Sequence, residues 1–203
     1  MTKKTSKKKK KVLNLAKKKG FLRVRDVKAA KLHPEYIRRL VKTGKLIREG
    51  RGLYRLKEAD ITEHHSLAEV AKRVPNGVIC LLSALRFHNI TTQLPHQVWI
   101  AIDVKARVPK SDELSIRVFR FSGDALRKGI EVHTIEGVKV CIYSPAKTVA
   151  DCFKFRNKIG LEVAIEALRE CWRERKATMD DIYKYAKICR VMNVMRPYME
   201  SLQ

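Results

Sequence analysis

The chain has 203 residues, 45% of them hydrophobic, and carries 45 Lys and Arg against 21 Asp and Glu, a net charge of +24. This length and apolar content suit one or two globular domains. No apolar run approaches the ~20 residues a membrane span needs, and no apolar core follows the basic start MTKKTSKKKKK. Neither a spanning helix nor a secretory signal is expected, and the expected location is cytoplasmic.

The charge is uneven. Residues 1–60 hold 22 basic and 5 acidic side chains, whereas residues 61–203 hold 23 and 16. The excess lies in the first segment and points to a polyanionic partner there. The five cysteines, Cys80, Cys141, Cys152, Cys171 and Cys189, are odd in number, widely spaced and contain no CxxC pair. They read as reduced core residues, not as a disulfide frame or a zinc site.

Residues 1–10 are Lys-rich and are expected to be a disordered tail. A first helix is predicted over Lys8–Lys19, with Val12, Leu13, Leu15 and Ala16 as its apolar stripe and Gly20 as its stop. A second short helix is predicted near Arg25–Lys31, with Val24, Val27, Ala30 and Leu32 inward. Pro34 suits the first turn of a third helix that runs to about Thr43 and ends at Gly44. Ile37, Leu40 and Val41 then face a core, and Glu35, Tyr36, Arg38, Arg39 and Lys42 face outward.

Two short runs, Leu46–Glu49 and Leu53–Leu56, flank Gly50-Arg51-Gly52 and read as a hairpin with Arg51 at its tip. Three helices and a basic hairpin within ~50 residues match a winged helix-turn-helix, in which one helix enters the major groove of DNA. Arg reads guanine edges, and a basic tip reaches phosphates or a neighbouring groove. The candidate DNA-binding residues are Tyr36, Arg38, Arg39, Lys42, Arg48, Arg51 and Arg55.

The polar stretch KEADITE, residues 57–63, sets the expected domain boundary near Asp60. Ser66 with Glu69 has capping-box spacing for a helix to about Arg73. Val78–His88 reads as a buried helix, with a strand as the alternative for its first residues. Val98–Asp103 and Ile116–Phe121 read as strands, and Ile130–Ile135 with Val138–Tyr143 form a hairpin around Glu136-Gly137. A small, mainly antiparallel sheet is expected. Helices follow. One starts at Ser144-Pro145 with Val149, Cys152 and Phe153 on one face. The next runs Leu161 to about Arg175, with Val163, Ala164, Ala167, Leu168, Cys171 and Trp172 inward. A third starts at Thr178 with Asp181, and a fourth covers Val191–Leu202. The overall class is α+β: a winged helix-turn-helix followed by a sheet domain with a helical end.

A catalytic constellation is not evident. The sequence contains no P-loop, dinucleotide glycine pattern, HExxH or GxSxG. Asp180-Asp181 sits at a helix start, where acids favour the positive dipole end. Adjacent His64 and His65 point apart on a helix. His88, His96 and His133 lack partners at ligand spacing. Lys147 and Asp151 read as an i, i+4 pair on a helix surface. No enzyme activity, cofactor or metal is expected.

These residues resemble the AbiEi family of antitoxins. The wing GRGLYRL is one part of the likeness. The later ordered segments are RVPNGVICLLSALRFHNITTQLPHQVWIAI, IRVFRFSG, SPAKTVADCFKFRNKIGLEVAIEAL and NVMRPY, so that it runs from about residue 9 to 203. The resemblance implies an antitoxin of a type IV toxin–antitoxin system with a role in phage defence. Its functional partner would be a nucleotidyltransferase toxin, without direct binding being assumed. It also implies a winged helix that binds inverted repeats in operator DNA and represses its own operon. The antitoxin role falls on residues 61–203 as a block. A ligand-responsive regulator unrelated to a toxin, and a nucleic-acid enzyme, are the alternatives.

Overall fold

The structure, a computed structural model, describes residues 3–109 and 115–202. Its elements fall into two compact units: residues 1–73 with 134–139, and residues 74–133 with 140–203.

The first unit opens with helix α1 (Lys3–Lys19), strand β1 (Phe21–Arg23), α2 (Val24–Ala29) and α3 (Glu35–Lys42). Strands β2 (Leu46–Gly50) and β3 (Leu53–Leu56) and helix α4 (His65–Arg73) follow. Helix α1 starts at Lys3, not after the irregular tail expected for residues 1–10. Lysine is a good helix former, and no Gly or Pro interrupts residues 3–19, so a helix anchored by buried Val12 and Ala16 propagates backwards.

Strand β1 has no counterpart among the sequence expectations. Phe21 and Leu22 are buried, and β1 pairs antiparallel with β3 in the register Phe21↔Arg55, Leu22↔Tyr54, Arg23↔Leu53. Three residues are too few to show a period of two, so only tertiary pairing reveals it. The sheet order is β1-β3-β2, and β2 bulges between Arg48 and Gly50. Val12, Ala16, Leu22, Val27, Ile37, Leu40 and Leu46 form the core of this unit. Helix α3 closes on Gly44, at φ +68°, with the Lys45 N–H donating to the Leu40 carbonyl at 2.9 Å.

The unit continues past Asp60 to Arg73. Leu67, Ala68 and Val70 of α4 are buried. The Arg23 guanidinium donates to the Lys72 carbonyl, and Arg73 Nη2 donates to the Glu49 carbonyl at 2.9 Å. A polar stretch marks a loop, but buried apolar residues beyond it decide where the unit ends. The capping box of Ser66 and Glu69 does not form: α4 begins at His65, and Glu69 lies 2.7 Å from Arg73.

The turn at residues 134–139 belongs to this unit too. Glu136 Oε1 accepts from the Thr62 N–H at 2.8 Å and the Thr62 hydroxyl at 2.9 Å, and Oε2 lies 2.7 Å from His65 Nδ1. Burial pushes the Glu136 carboxyl up, but these donors outweigh it and hold it below the usual carboxylate range. Gly20, at φ +66°, faces the Glu136 carbonyl so closely that a Cβ there would sit 1.7 Å from its oxygen.

The second unit holds, apart from residues 134, 135, 138 and 139, a sheet of order β6-β5-β4-β8-β7, built from β4 (Val78–Ile79), β5 (Val98–Asp103), β6 (Ile116–Phe121), β7 (Ile130–Ile135) and β8 (Val138–Tyr143). The α+β class holds, but the sheet is mixed. Strand β4 is antiparallel to β5, while β5–β6 and β4–β8 are parallel. Strands without intervening helical pattern suggest antiparallel neighbours, and here that rule fails. Residues 104–115 between β5 and β6 are long enough for the crossover that a parallel pair requires.

Helices α5 (Leu81–Phe87) and α6 (Gly123–Arg127) lie between strands. After the sheet come α7 (Pro145–Lys154), α8 (Arg156–Ile159), α9 (Leu161–Arg173), α10 (Met179–Cys189) and α11 (Met192–Glu200). The core includes Leu81, Leu85, Phe119, Tyr143, Phe153, Leu168, Ile182 and Met195. Trp172 departs from its expected inward place, with 37% of its surface exposed at the end of α9.

Lys147 and Asp151 also depart from expectation. They are an i, i+4 pair, but both are fully buried rather than on a helix surface. Lys147 Nζ lies 2.6 and 2.5 Å from the two Asp151 oxygens and 4.1 Å over the Tyr143 ring. The Cys189 thiol donates to Asp151 Oδ1 at 3.3 Å. Burial pushes the Asp151 carboxyl up, and the Lys147 ammonium pulls it back.

Lys147→Met alone will strand a buried carboxylate and lower unfolding free energy by about 3–5 kcal/mol, whereas Lys147→Met with Asp151→Leu will recover most of the loss. Urea denaturation of the three proteins checks this. Gly20→Ala will destabilise the first unit by at least about 2 kcal/mol, through a left-handed alanine and overlap with Glu136. Amide exchange at α1 and β1 is the measurement.

Candidate nucleic-acid interface

Helix α3 presents its polar face because its apolar one is taken. Ile37 and Leu40 are buried, so Arg38, Arg39 and Lys42 are turned to solvent. Within β2 and β3, the register places Arg48 opposite Tyr54, and directly opposed residues share one face of a sheet. The two elements enclose a groove of about 620 Å³ lined by Glu35, Arg38, Arg39, Val41, Lys42, Arg48 and Tyr54. Four cations thus face one carboxylate.

Glu35 lies 3.7 Å from Arg38 Nη1 and 3.6 Å from Arg39 Nε. With 84% of the Arg38 side chain exposed, these pairs are weak and salt-screened. Both guanidiniums can exchange Glu35 for a phosphate or a base edge. Arg48 Nε donates to the Gly50 carbonyl at 3.2 Å, which steadies the start of the wing turn.

Of the seven residues singled out from the sequence, the structure gathers Arg38, Arg39, Lys42 and Arg48 in this groove. Arg51 is exposed between β2 and β3, outside the groove lining. Tyr36 packs against the core of the first unit. Arg55 faces away from Tyr54 along the alternating strand. It is largely covered, pairs with Glu49, and donates from Nη1 to the Leu56 carbonyl at 3.1 Å. Its charge is already neutralised. Sequence reasoning placed Glu35 on the outward face of the helix but did not place Tyr54 in the groove. Strand alternation, counted across the hairpin from Arg48, is the signal that could have found Tyr54.

The other residues weighed as chemical sites have structural partners. The Asp181 N–H donates to Thr178 Oγ1 at 3.2 Å as the cap of α10, and the Thr178 hydroxyl donates to Asp181 Oδ2 at 2.8 Å. His88 Nε2 lies 2.8 Å from the Tyr143 carbonyl, and burial lowers its pKa. His133 Nε2 lies 3.2 Å from Glu131. The five cysteines are free, and burial pushes the Cys80 and Cys152 thiols well up, Cys171 to about 11 and Cys189 to about 12. Such thiols are poor nucleophiles. Among the described residues, no helix is long and apolar enough to cross a membrane.

Comparison with solved structures finds the crystal structure of the RV2827C protein from Mycobacterium tuberculosis. It has a TM-score of 0.54 and 13% identity, over 82% of this chain and 66% of that one. At that identity the likeness is one of fold, and this chain spans 66% of the length of its neighbour. The comparison with curated proteins found no match. The model of the family described as "Transcriptional regulator, AbiEi antitoxin" matches residues 10–57, from within α1 to just past the wing, and the later segments that carry the resemblance lie beyond that match. Residues 10–57, which hold the cationic groove, are therefore similar to the transcriptional regulators described by that family model.

Proposed function

We propose that the chain is the antitoxin of a type IV toxin–antitoxin system and represses its own operon by binding operator DNA through the α3–wing groove. The observation that carries this reading is the groove itself. Arg38, Arg39, Lys42 and Arg48 converge on one concave face of a family-matched regulator module, with Tyr54 among them. In such a motif the helix reads base edges and the wing adds backbone contacts. The functional partner in this reading is a nucleotidyltransferase toxin, and no stable complex with it is required. Catalysis has no part in it.

The test is fluorescence anisotropy of the full chain on the duplex upstream of its own gene and on a shuffled duplex, at two salt concentrations. A preference of about tenfold or more that survives the higher salt supports the reading, since the charge-driven component falls with salt on both duplexes. Arg38→Ala or Arg39→Ala will cost about 1–3 kcal/mol on the upstream duplex alone where the side chain reads a base. Equal affinity for both duplexes overturns operator recognition. Repression that is lost in Arg38→Ala/Arg39→Ala, with toxin neutralisation retained in a growth assay, supports separate seats for the two roles.

Glu35→Gln will tighten binding to both duplexes by about two- to fivefold, because it removes an exposed carboxylate worth at most ~1 kcal/mol to its arginines and repulsive to phosphate. The same titration measures it.

A further inference from the structure

Helix α1 carries ten lysines and no acidic residue between Lys3 and Lys19. Its second half is anchored, since Val12 and Ala16 are fully buried and Leu13 and Leu15 pack beside them. Lys7, Lys8, Lys10 and Lys11 are exposed. Among the described residues, none of these four has an ion-pair partner. This arrangement runs against helix electrostatics. Positive charge at the start of a helix opposes the macrodipole, and Lys7 and Lys11 are like charges one turn apart. A polyanion lying alongside would reverse both effects.

The surroundings of α1 also select the polyanion. A surface helix that binds membranes needs an apolar face to insert, and the apolar stripe of α1 is already buried in the core. Helix α1 packs against both α3 and β3, the two elements that form the cationic groove. We infer that the first half of α1 is a phosphate clamp that lies along the backbone of duplex DNA beside the bases read by α3. This rests on the DNA-binding reading above. Residues 3–11 rise about 13 Å, against ~3.4 Å of duplex axis per phosphate of one strand and a longer path along the inclined backbone itself. With one side of a helix turned to the strand, two or three lysines engage.

The experiment compares the full chain with K7Q/K8Q/K10Q/K11Q and with the charge-retaining K7R/K8R/K10R/K11R. Both are titrated onto the upstream and shuffled duplexes over a series of salt concentrations, with circular dichroism to establish that the fold is kept. A clamp contributes about 0.9 to the salt slope for each phosphate engaged. The Gln variant is therefore expected to lose about 2 from the slope of log K against log salt, equally on both duplexes. Its ratio of affinities for the two should not change, and the Arg variant should keep the slope. An unchanged slope in the Gln variant overturns the clamp, as does an Arg variant that behaves like it. Loss confined to the upstream duplex overturns it as well, because the lysines would then read sequence. Co-sedimentation with phosphatidylserine vesicles that the Gln variant loses, with the DNA slope unchanged, would assign the lysines to a membrane surface instead. If the wild type shows no preference between duplexes while the slope loss persists, operator recognition by α3 fails and the clamp stands.

Discussion

The second unit is built around a pair of opposite charges held out of water. Lys147 and Asp151 sit on α7, which packs against α5, α9, α10 and α11. A buried ion pair is tolerated only when its geometry is good and its remaining valences are met. Here the surroundings meet those terms. Tyr143 and Phe121 offer ring faces to the ammonium, and the Cys189 thiol supplies a further donor to the carboxylate. Gly129, at φ +77°, leaves the room that a side chain would fill, since a Cβ there would lie 2.7 Å from that of Lys147. Separate stretches of the sequence are thereby committed to one pair.

In the first unit the governing constraint is different. Helix α3 is short, and its few apolar positions are spent on the core, so its arginines and lysine have nowhere to go but outward. The hairpin behind it repeats the logic with a period of two. Tyr54 faces the groove, while Arg55 turns away to Glu49. The outcome is a surface whose charge is concentrated by packing, not by composition alone. The single acid in it, Glu35, holds two of the arginines by weak, solvent-screened pairs.

Much of this is legible in the amino-acid sequence. Periodicity locates α3, the wing hairpin, the Glu136-Gly137 turn and the helices of the second unit, because each is long enough or punctuated enough to show its own pattern. What escapes depends on partners distant in sequence. Strand β1 exists only because β3 pairs with it. The parallel direction of β5 and β6 is set by a crossover without helical signature. The burial of Lys147 and Asp151 contradicts the usual place of an i, i+4 charge pair, and nothing local announces it. In the groove, Arg38, Arg39, Lys42 and Arg48 are recognisable because helix and strand periods fix direction. Arg55 lies outside the groove because the strand turns its side chain to Glu49, and charge alone does not reveal the face.

The first unit is also discontinuous along the chain. Its boundary at Arg73 leaves out the turn at residues 134–139, whose Glu136 carboxylate gathers Thr62 and His65 and whose carbonyl rests against Gly20. His65 in turn packs against Phe21, with ring centroids 5.3 Å apart. A gene fragment cut after Arg73 would leave Gly20 facing nothing and an imidazole without its carboxylate. The first unit is therefore not a contiguous sequence cassette: a chimera that keeps these contacts must bring the distant turn with it, or invent a substitute for one glutamate and one glycine contact.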